Sequence, residues 1–167
     1  MPKSATFSIR EAGPAEFEAI GALTVEAYRS AGETEDGYFD ELRDVAARAA
    51  DVPVIVAIEA GSGRVLGSVT YVPGPGPWHE GEFGEAASFR MLAVAPDAQG
   101  RGVGRALVDA CIARARAAER PSIGIYTRPF MRTAHRMYER FGFVRAPELD
   151  WEFDPGEWLW AYRLDLR

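Results

Sequence analysis

The sequence is poor in several things that would place a protein quickly, and each shortage excludes something. It has one cysteine, Cys111, so an internal disulfide is impossible and no Cys-x-x-Cys pair is available for a redox or metal centre. Its two histidines, His79 and His135, form no His-x-x-x-His pair, and no metal is expected. No apolar run approaches the length of a bilayer crossing, so no membrane partner is expected. Positive charge is in deficit: 19 Lys and Arg stand against 25 Asp and Glu, a net charge of -6. A nucleic-acid binder needs a basic face to neutralise phosphates, so that class is set aside. Repeats, low-complexity tracts and long linkers are also missing. The stretch Met1-Pro2-Lys3-Ser4-Ala5 lacks the apolar core of a secretory leader. With the single cysteine, this gives the expectation of a reducing, cytoplasmic setting. The Ala, Arg and Gly bias gives the further expectation of a GC-rich bacterial source.

What is present is ordinary globular material, 47% apolar and 26% charged over 167 residues, a length that suits one domain spanning 1–167. Ser8-Ile9-Arg10 reads as a short first strand. Pro14 opens a helix whose apolar row is Phe17, Ile20, Thr24, Ala27 and Tyr28, ending near Gly32. A second helix is predicted over 38–50, with Phe39, Leu42, Val45, Ala46 and Ala49 as its apolar face. A hairpin follows: the β-branched run 54–58, the turn Gly61-Ser62-Gly63, and a return over 65–72. Pro73-Gly74-Pro75-Gly76-Pro77-Trp78-His79 is a loop that ends acidic, at Glu80, Glu82 and Glu85. Strands are then expected over 89–94 and 122–127, with a long helix over 103–119 between them. A short helix over 133–141 stops at Gly142, and strands begin at Phe143 and over 158–164. The order is β-α-α-β-β-β-α-β-α-β-β, an α/β fold with a mixed, mostly antiparallel sheet of about six or seven strands and helices on both faces.

The chemistry is concentrated in the second strand-to-helix passage. Arg90-Met91-Leu92-Ala93-Val94 is a strand, Pro96 stops it, and Gln99-Gly100-Arg101-Gly102-Val103-Gly104-Arg105 turns into a helix. The first amides of a helix have no intrahelical partners and lie at the positive end of its dipole. Glycines let that backbone approach a ligand closely, and the result is a phosphate site. The Walker pattern Gly-x-x-x-x-Gly-Lys is absent. The dinucleotide pattern Gly-x-Gly-x-x-Gly fails from Gly100, where Arg105 falls last, and from Gly102, where Leu107 does. What fits is Gln-x-x-Gly-x-Gly, at Gln99, Gly102 and Gly104. This resembles the acetyl-CoA pyrophosphate loop of the GNAT superfamily of N-acetyltransferases. Ala134-His135-Arg136-Met137-Tyr138-Glu139-Arg140-Phe141-Gly142-Phe143 is similar to the Ala-x-x-x-Tyr-x-x-x-Gly-Phe segment of the same family. Together the two motifs cover roughly residues 88–144.

The resemblance implies an acyltransferase. Acetyl-CoA would lie where two neighbouring parallel strands, here 89–94 and 122–127, splay apart. Backbone at Leu92, Ala93 and Val94 would pair with the pantetheine amides. Amides of Gln99, Gly100, Arg101, Gly102, Val103, Gly104 and Arg105 would hold the pyrophosphate, with the Arg101 and Arg105 side chains adding charge. A primary amine, small or peptide-borne, would attack the thioester directly in a ternary complex, and Tyr138 would protonate the departing thiolate. An amine of ordinary pKa about 10.4 is mostly charged at pH 7, so a base or a chain of waters would help it lose its proton. The family's usual glutamate position holds Ser88 here, and Glu85 is the candidate base; His79, Glu82, Asp150 and Glu152 stand further out. The family's usual asparagine, seven residues before the tyrosine, is Met131, with Arg132 or Thr133 as replacements. Asp36, Tyr38, Trp78 and Glu82 are expected to receive a cationic acceptor with an apolar part, in keeping with the acidic balance of the chain. His135 and Cys111 are expected to be packing residues. Trp151-Glu152-Phe153, Trp158 and Trp160 suit a homodimer face. The other reading of the same motifs is a non-catalytic acyl-CoA-binding sensor or regulatory module.

Overall fold

A computed structural model describes residues 6–167, so the N-terminal stretch considered for a leader lies outside the described residues. The chain forms two compact units: Met1–Tyr71 with Met91–Ala110, and Val72–Arg90 with Cys111–Arg167. Eight strands occur among the described residues, in two four-stranded groups. This is the mixed α/β, largely antiparallel architecture expected from the sequence. No helix among the described residues is long and apolar enough to cross a membrane.

In the first unit, β1 (Phe7–Glu11), β2 (Val54–Glu59) and β3 (Val65–Val72) lie side by side, and β4 (Ser88–Val94) follows β3 in the sheet. β1 pairs antiparallel with β2, and β2 with β3. After one turn of 3-10 helix at Pro14–Glu16 comes α1 (Phe17–Ala31), which buries Ile20, Thr24 and Tyr28 of the expected row and Val25 beside them, while Phe17 and Ala27 are half-buried. Ile20 of α1 joins Val45, Val54 and Val56 in a solvent-free cluster. Burial of such side chains stabilises the fold by roughly 1.5–3 kcal/mol each.

The helix predicted over 38–50 is instead two, α2 (Asp36–Arg43) and α3 (Val45–Ala49). Asp44 causes the break: its backbone leaves the helical region, and its carboxylate accepts the Ala47 amide at 3.1 Å, capping α3. The break also corrects the apolar face, because Ala46 is exposed and Arg48 takes the buried place three residues after Val45. Arg48 is 1% exposed. Its Nη1 and Nη2 donate to the carbonyls of Glu41 and Leu42, both at 3.0 Å, and its Nε donates to Thr70 Oγ1 at 3.1 Å. The guanidinium therefore satisfies the carbonyl end of α2 that no further turn of helix can reach.

The second unit is built around β8 (Glu157–Asp165), which pairs antiparallel with β5 (Ser122–Thr127), β6 (Val144–Arg145) and β7 (Trp151–Asp154). β7 was not anticipated. The stretch read as a possible dimer face, Trp151-Glu152-Phe153, forms a hairpin with β8; Trp151 and Trp158 remain exposed, while Trp160 is half-buried. α4 (Val103–Ala117) precedes β5, and α5 (Arg132–Phe141) follows it. Just before β4, Ala87 makes a parallel bridge to Ile123 of β5, with Ala87 N donating to Ser122 O at 3.0 Å and Gly124 N to Ala87 O at 2.9 Å.

Candidate active site

In the first unit the glycine turn has the geometry a phosphate cradle requires. Gly100 and Gly102 have φ of 78° and 83°, the left-handed region that disfavours any side chain. The space where their Cβ atoms would stand is open. Gly102 O accepts the Ala106 amide at 3.0 Å, so Gly102 stands at the threshold of α4 and the amides of Val103, Gly104 and Arg105 have no helical carbonyl behind them. Two buried side chains of the same helix, Val103 and Leu107, anchor it. They close over β3 at Gly67, where an added Cβ would fall 2.9 Å from both Val103 Cγ1 and the Ala93 carbonyl. The bare backbone of Gly67 therefore seats the helix start, and with it the cradle.

The side chains of the turn are less uniform. Gln99 and Arg105 are exposed. The Arg101 guanidinium, expected to add charge at the phosphates, donates instead to Glu59 Oε2 at 3.1 Å and to Thr6 Oγ1 at 2.9 Å. The cradle is thus made of backbone. Along β4, Met91 and Ala93 are buried while Leu92 and Val94 are half-buried. Met91 has φ of 56°, a left-handed residue in mid-strand that interrupts the pleat and re-aims the neighbouring amides. Such a conformation costs roughly 1–2 kcal/mol outside glycine. Nothing in the residue type announces it. Asp36, exposed at the start of α2, and Tyr38, edge-on to Tyr28 at 5.7 Å, also belong to this unit.

In the second unit the chemistry is made of side chains. Tyr138 is 6% exposed and sits among Phe89 at 5.8 Å, Phe143 at 5.8 Å and Tyr162 at 6.3 Å between ring centroids. His135, one turn before it, is buried between Trp160 and Tyr162, each 5.6 Å away. Its Nε2 lies 3.1 Å from the Arg128 carbonyl and 3.1 Å from Thr127 Oγ1, which places the proton on Nε2 facing the carbonyl. Burial lowers its pKa, outweighing the opposite pull of that carbonyl, and so favours the neutral ring. Cys111 is fully buried, and burial pushes its thiol pKa up; it is a core residue, as expected. Met131 stands at the N-cap of α5 with Arg132 and Thr133 exposed on its first turn. Ser88 is buried in β4.

The proline-glycine loop is tied down. An added Cβ on Gly124 of β5 would lie 2.2 Å from the Phe83 ring, and one on Gly81 would lie 2.2 Å from Tyr126 Oη. Phe83 therefore lies across the bare strand at Gly124, and Tyr126 lies against the loop at Gly81. Tyr126 donates to the Leu149 carbonyl at 2.7 Å and accepts from the Glu82 amide. Trp78 is covered by Arg90, whose guanidinium stands 5.9 Å above the ring and pairs with Glu80 at 2.6 Å. The Glu85 side chain is 78% exposed and lies 3.6 Å from Arg120 Nη1. Between loop and hairpin is a cavity of about 330 Å³ lined by Gly81, Glu82, Tyr126, Glu148, Leu149, Asp150 and Trp151. Of the residues expected at an acceptor site, Glu82 lines it. Asp150 is held by Arg145 through two 2.7 Å bonds and by the Ala161 amide at 2.8 Å. Burial resists its charge, but these donors win and lower its pKa. Glu152 accepts the Gly156 amide at 2.8 Å, closing the β7–β8 turn. Among the described residues no group of three or more His, Cys, Asp or Glu is placed to hold a metal ion.

The family model described as "Acetyltransferase (GNAT) family" matches residues 17–143, which include both the glycine turn and the Tyr138 segment. The chain belongs to the GNAT acetyltransferase family. Solved structures agree on the fold of this GNAT protein. A GCN5-related N-acetyltransferase from Kribbella flavida is 29% identical, with 96% of this chain and 98% of that one covered and a TM-score of 0.71. A GNAT family acetyltransferase from Streptococcus agalactiae is 20% identical over 96% of each chain, with a TM-score of 0.75. One from Brucella melitensis, solved in complex with acetyl-CoA, is 22% identical over 98% of this chain and 90% of that one, with a TM-score of 0.66. Comparison of the sequence with curated proteins gives no match.

Sequence reasoning missed most of the cavity lining. Tyr126, Glu148 and Trp151 come from three separate elements, and no spacing links them. Gly124 did carry a signal, since a lone glycine inside a strand marks close approach by another group.

Proposed function

We propose that the chain is an acetyl-CoA-dependent N-acetyltransferase, acting as a single acetyltransferase domain on a primary amine, small or peptide-borne. The observation that carries this reading is the backbone cradle: Gly100 and Gly102 in left-handed conformations at the mouth of α4, with open space in front of them. Amides of residues 99–105 hold the cofactor's pyrophosphate, and backbone at Leu92, Ala93 and Val94 aligns its pantetheine arm. The amine nitrogen attacks the thioester carbonyl; the N–C bond forms, the C–S bond breaks, and the sulfur takes a proton from Tyr138. A phenol and a thiol ionise within about two units of one another, so this transfer is nearly balanced in energy. The proton lost by the amine goes to water or to Glu85, which must first leave its ion pair with Arg120.

A buried serine at Ser88 and the pairing of Glu85 favour the second reading, an acyl-CoA-binding module without turnover. The two separate in one experiment. Free-thiol release from acetyl-CoA is followed over an amine panel, in wild type and in Tyr138→Phe. Amine-dependent release that collapses in the variant, with acetyl-CoA affinity retained, supports the enzyme. Tight acetyl-CoA binding with no release for any amine supports the module.

A further inference from the structure

The cavity of the second unit carries an inference about which amine is used, and it rests on the N-acetyltransferase reading above. The lining divides by role. Asp150 is already neutralised, its two oxygens taken by the Arg145 fork and the Ala161 amide. Arg145 is equally committed: besides Asp150 it donates to the Ala161 carbonyl at 2.7 Å and lies over Trp160 and Tyr162 at 4.8 and 5.5 Å. The guanidinium held by Asp150 is therefore not offered to a ligand carboxylate. Glu82 and Glu148 are exposed at the same cavity, and Glu148 acts on Arg145 only through space, since the Arg145 fork is taken by Asp150. The rings of Tyr126 and Trp151, 6.4 Å apart, supply aromatic surface beside them. The Tyr126 hydroxyl feels the same environment: burial raises its pKa first, and the charges of Glu80, Asp150 and Glu82 raise it further. Aromatic faces and exposed carboxylates both attract an organic cation, and a carboxylate-bearing ligand is repelled by the same two glutamates.

We propose that the cavity bounded by Glu82, Tyr126, Glu148 and Trp151 selects an acceptor bearing a second ammonium group, a di- or polyamine, and disfavours zwitterionic amino acids. One amine loses its proton and is acetylated; the other stays charged and is held at the cavity. At about 330 Å³ the space suits a short aliphatic cation and not a folded protein surface.

Three probes of equal chain length test this: 1,6-diaminohexane, hexylamine and 6-aminohexanoate, which differ in ending in an ammonium, a methyl or a carboxylate. The expected kcat/KM for the diamine exceeds that for hexylamine at least tenfold, and 6-aminohexanoate is the poorest. In Glu148→Gln and Glu82→Gln the diamine-to-hexylamine ratio falls toward one, mainly through KM. Equal use of diamine and hexylamine, preference for 6-aminohexanoate, or an unchanged ratio in both variants overturns the proposal. Calorimetric titration of 1,6-diaminohexane into wild type and Glu148→Gln, both saturated with CoA, separates the two levels. Diamine binding that the variant loses, without any acetyl transfer, upholds the cavity and defeats the enzyme reading. Acetyl transfer to other amines, with no diamine binding by wild type, upholds the enzyme and defeats the cavity.

Discussion

The two units make their sites from different materials. The first builds with backbone: glycines in left-handed conformations, the amides of a helix start, and an arginine that turns away to Glu59. The second builds with side chains: an aromatic cluster around Tyr138, a bidentate Arg145–Asp150 pair, and a cavity with aromatic and acidic walls. On the proposed reading, the backbone site recognises what is constant, a diphosphate, and the side-chain site sets what varies, the acceptor. Substitutions should therefore affect the two units differently.

The largest contrast is expected from Tyr138→Phe. Loss of a general acid lowers turnover about 10²- to 10⁴-fold. Acetyl-CoA affinity, set in the first unit, should move less than about twofold, as calorimetry would show; an equal loss of affinity would erase the division of labour. Arg48→Met comes next and touches stability alone. It takes the guanidinium donor from the buried Leu42 carbonyl and leaves the Glu41 carbonyl with only the Asp44 amide, at about 1–3 kcal/mol. Chemical denaturation reads the loss, while the acetyl-CoA affinity of the folded fraction should not change. Gly102→Val follows: a β-branched residue at a φ of 83° costs roughly 1–2 kcal/mol, and acetyl-CoA binding should weaken about tenfold or more. A Gly102→Val protein that binds acetyl-CoA normally would mean the cradle is not where the phosphates rest.

These contrasts also explain what could be read in advance. Gly100, Gly102 and Gly104 announce a backbone site because backbone geometry is written into local residue choice. The helices and most strand positions were legible for the same reason, in the row from Phe17 to Tyr28 and in the β-branched run Val54-Ile55-Val56. Asp44 was legible too and was passed over: a capping residue in mid-pattern splits one expected helix into two. What stayed hidden depends on chain crossings. Arg48 sits in an apolar row yet is buried because the end of α2 needs donors. Tyr126, Glu148 and Trp151 meet only because loop, strand and hairpin converge. β7 was hidden because its aromatic residues read equally well as an interface.

The smallest effect is a pH dependence confined to the second unit. His135 has a lowered pKa in the fold, so the unfolded chain takes up the proton first. Stability from this group is full above the ordinary value near 6.5 and declines as pH falls through it toward the lower folded value. Asp150, also lowered, adds a second decline beginning near its ordinary value of about 3.9. NMR titration of the His135 ring should show a midpoint below that of an unstructured histidine; a midpoint at or above it would reverse the first sign.

The most direct test of the central claim is thermal unfolding of the protein with acetyl-CoA, CoA or ATP. A ligand that binds the folded state adds about 2.7 kcal/mol at a hundredfold excess over its Kd. A clear upward shift with acetyl-CoA and with CoA, and none with ATP, is the result this account predicts. No shift at saturating acetyl-CoA would contradict it, because the turn at residues 99–104 would then not be a working cofactor site.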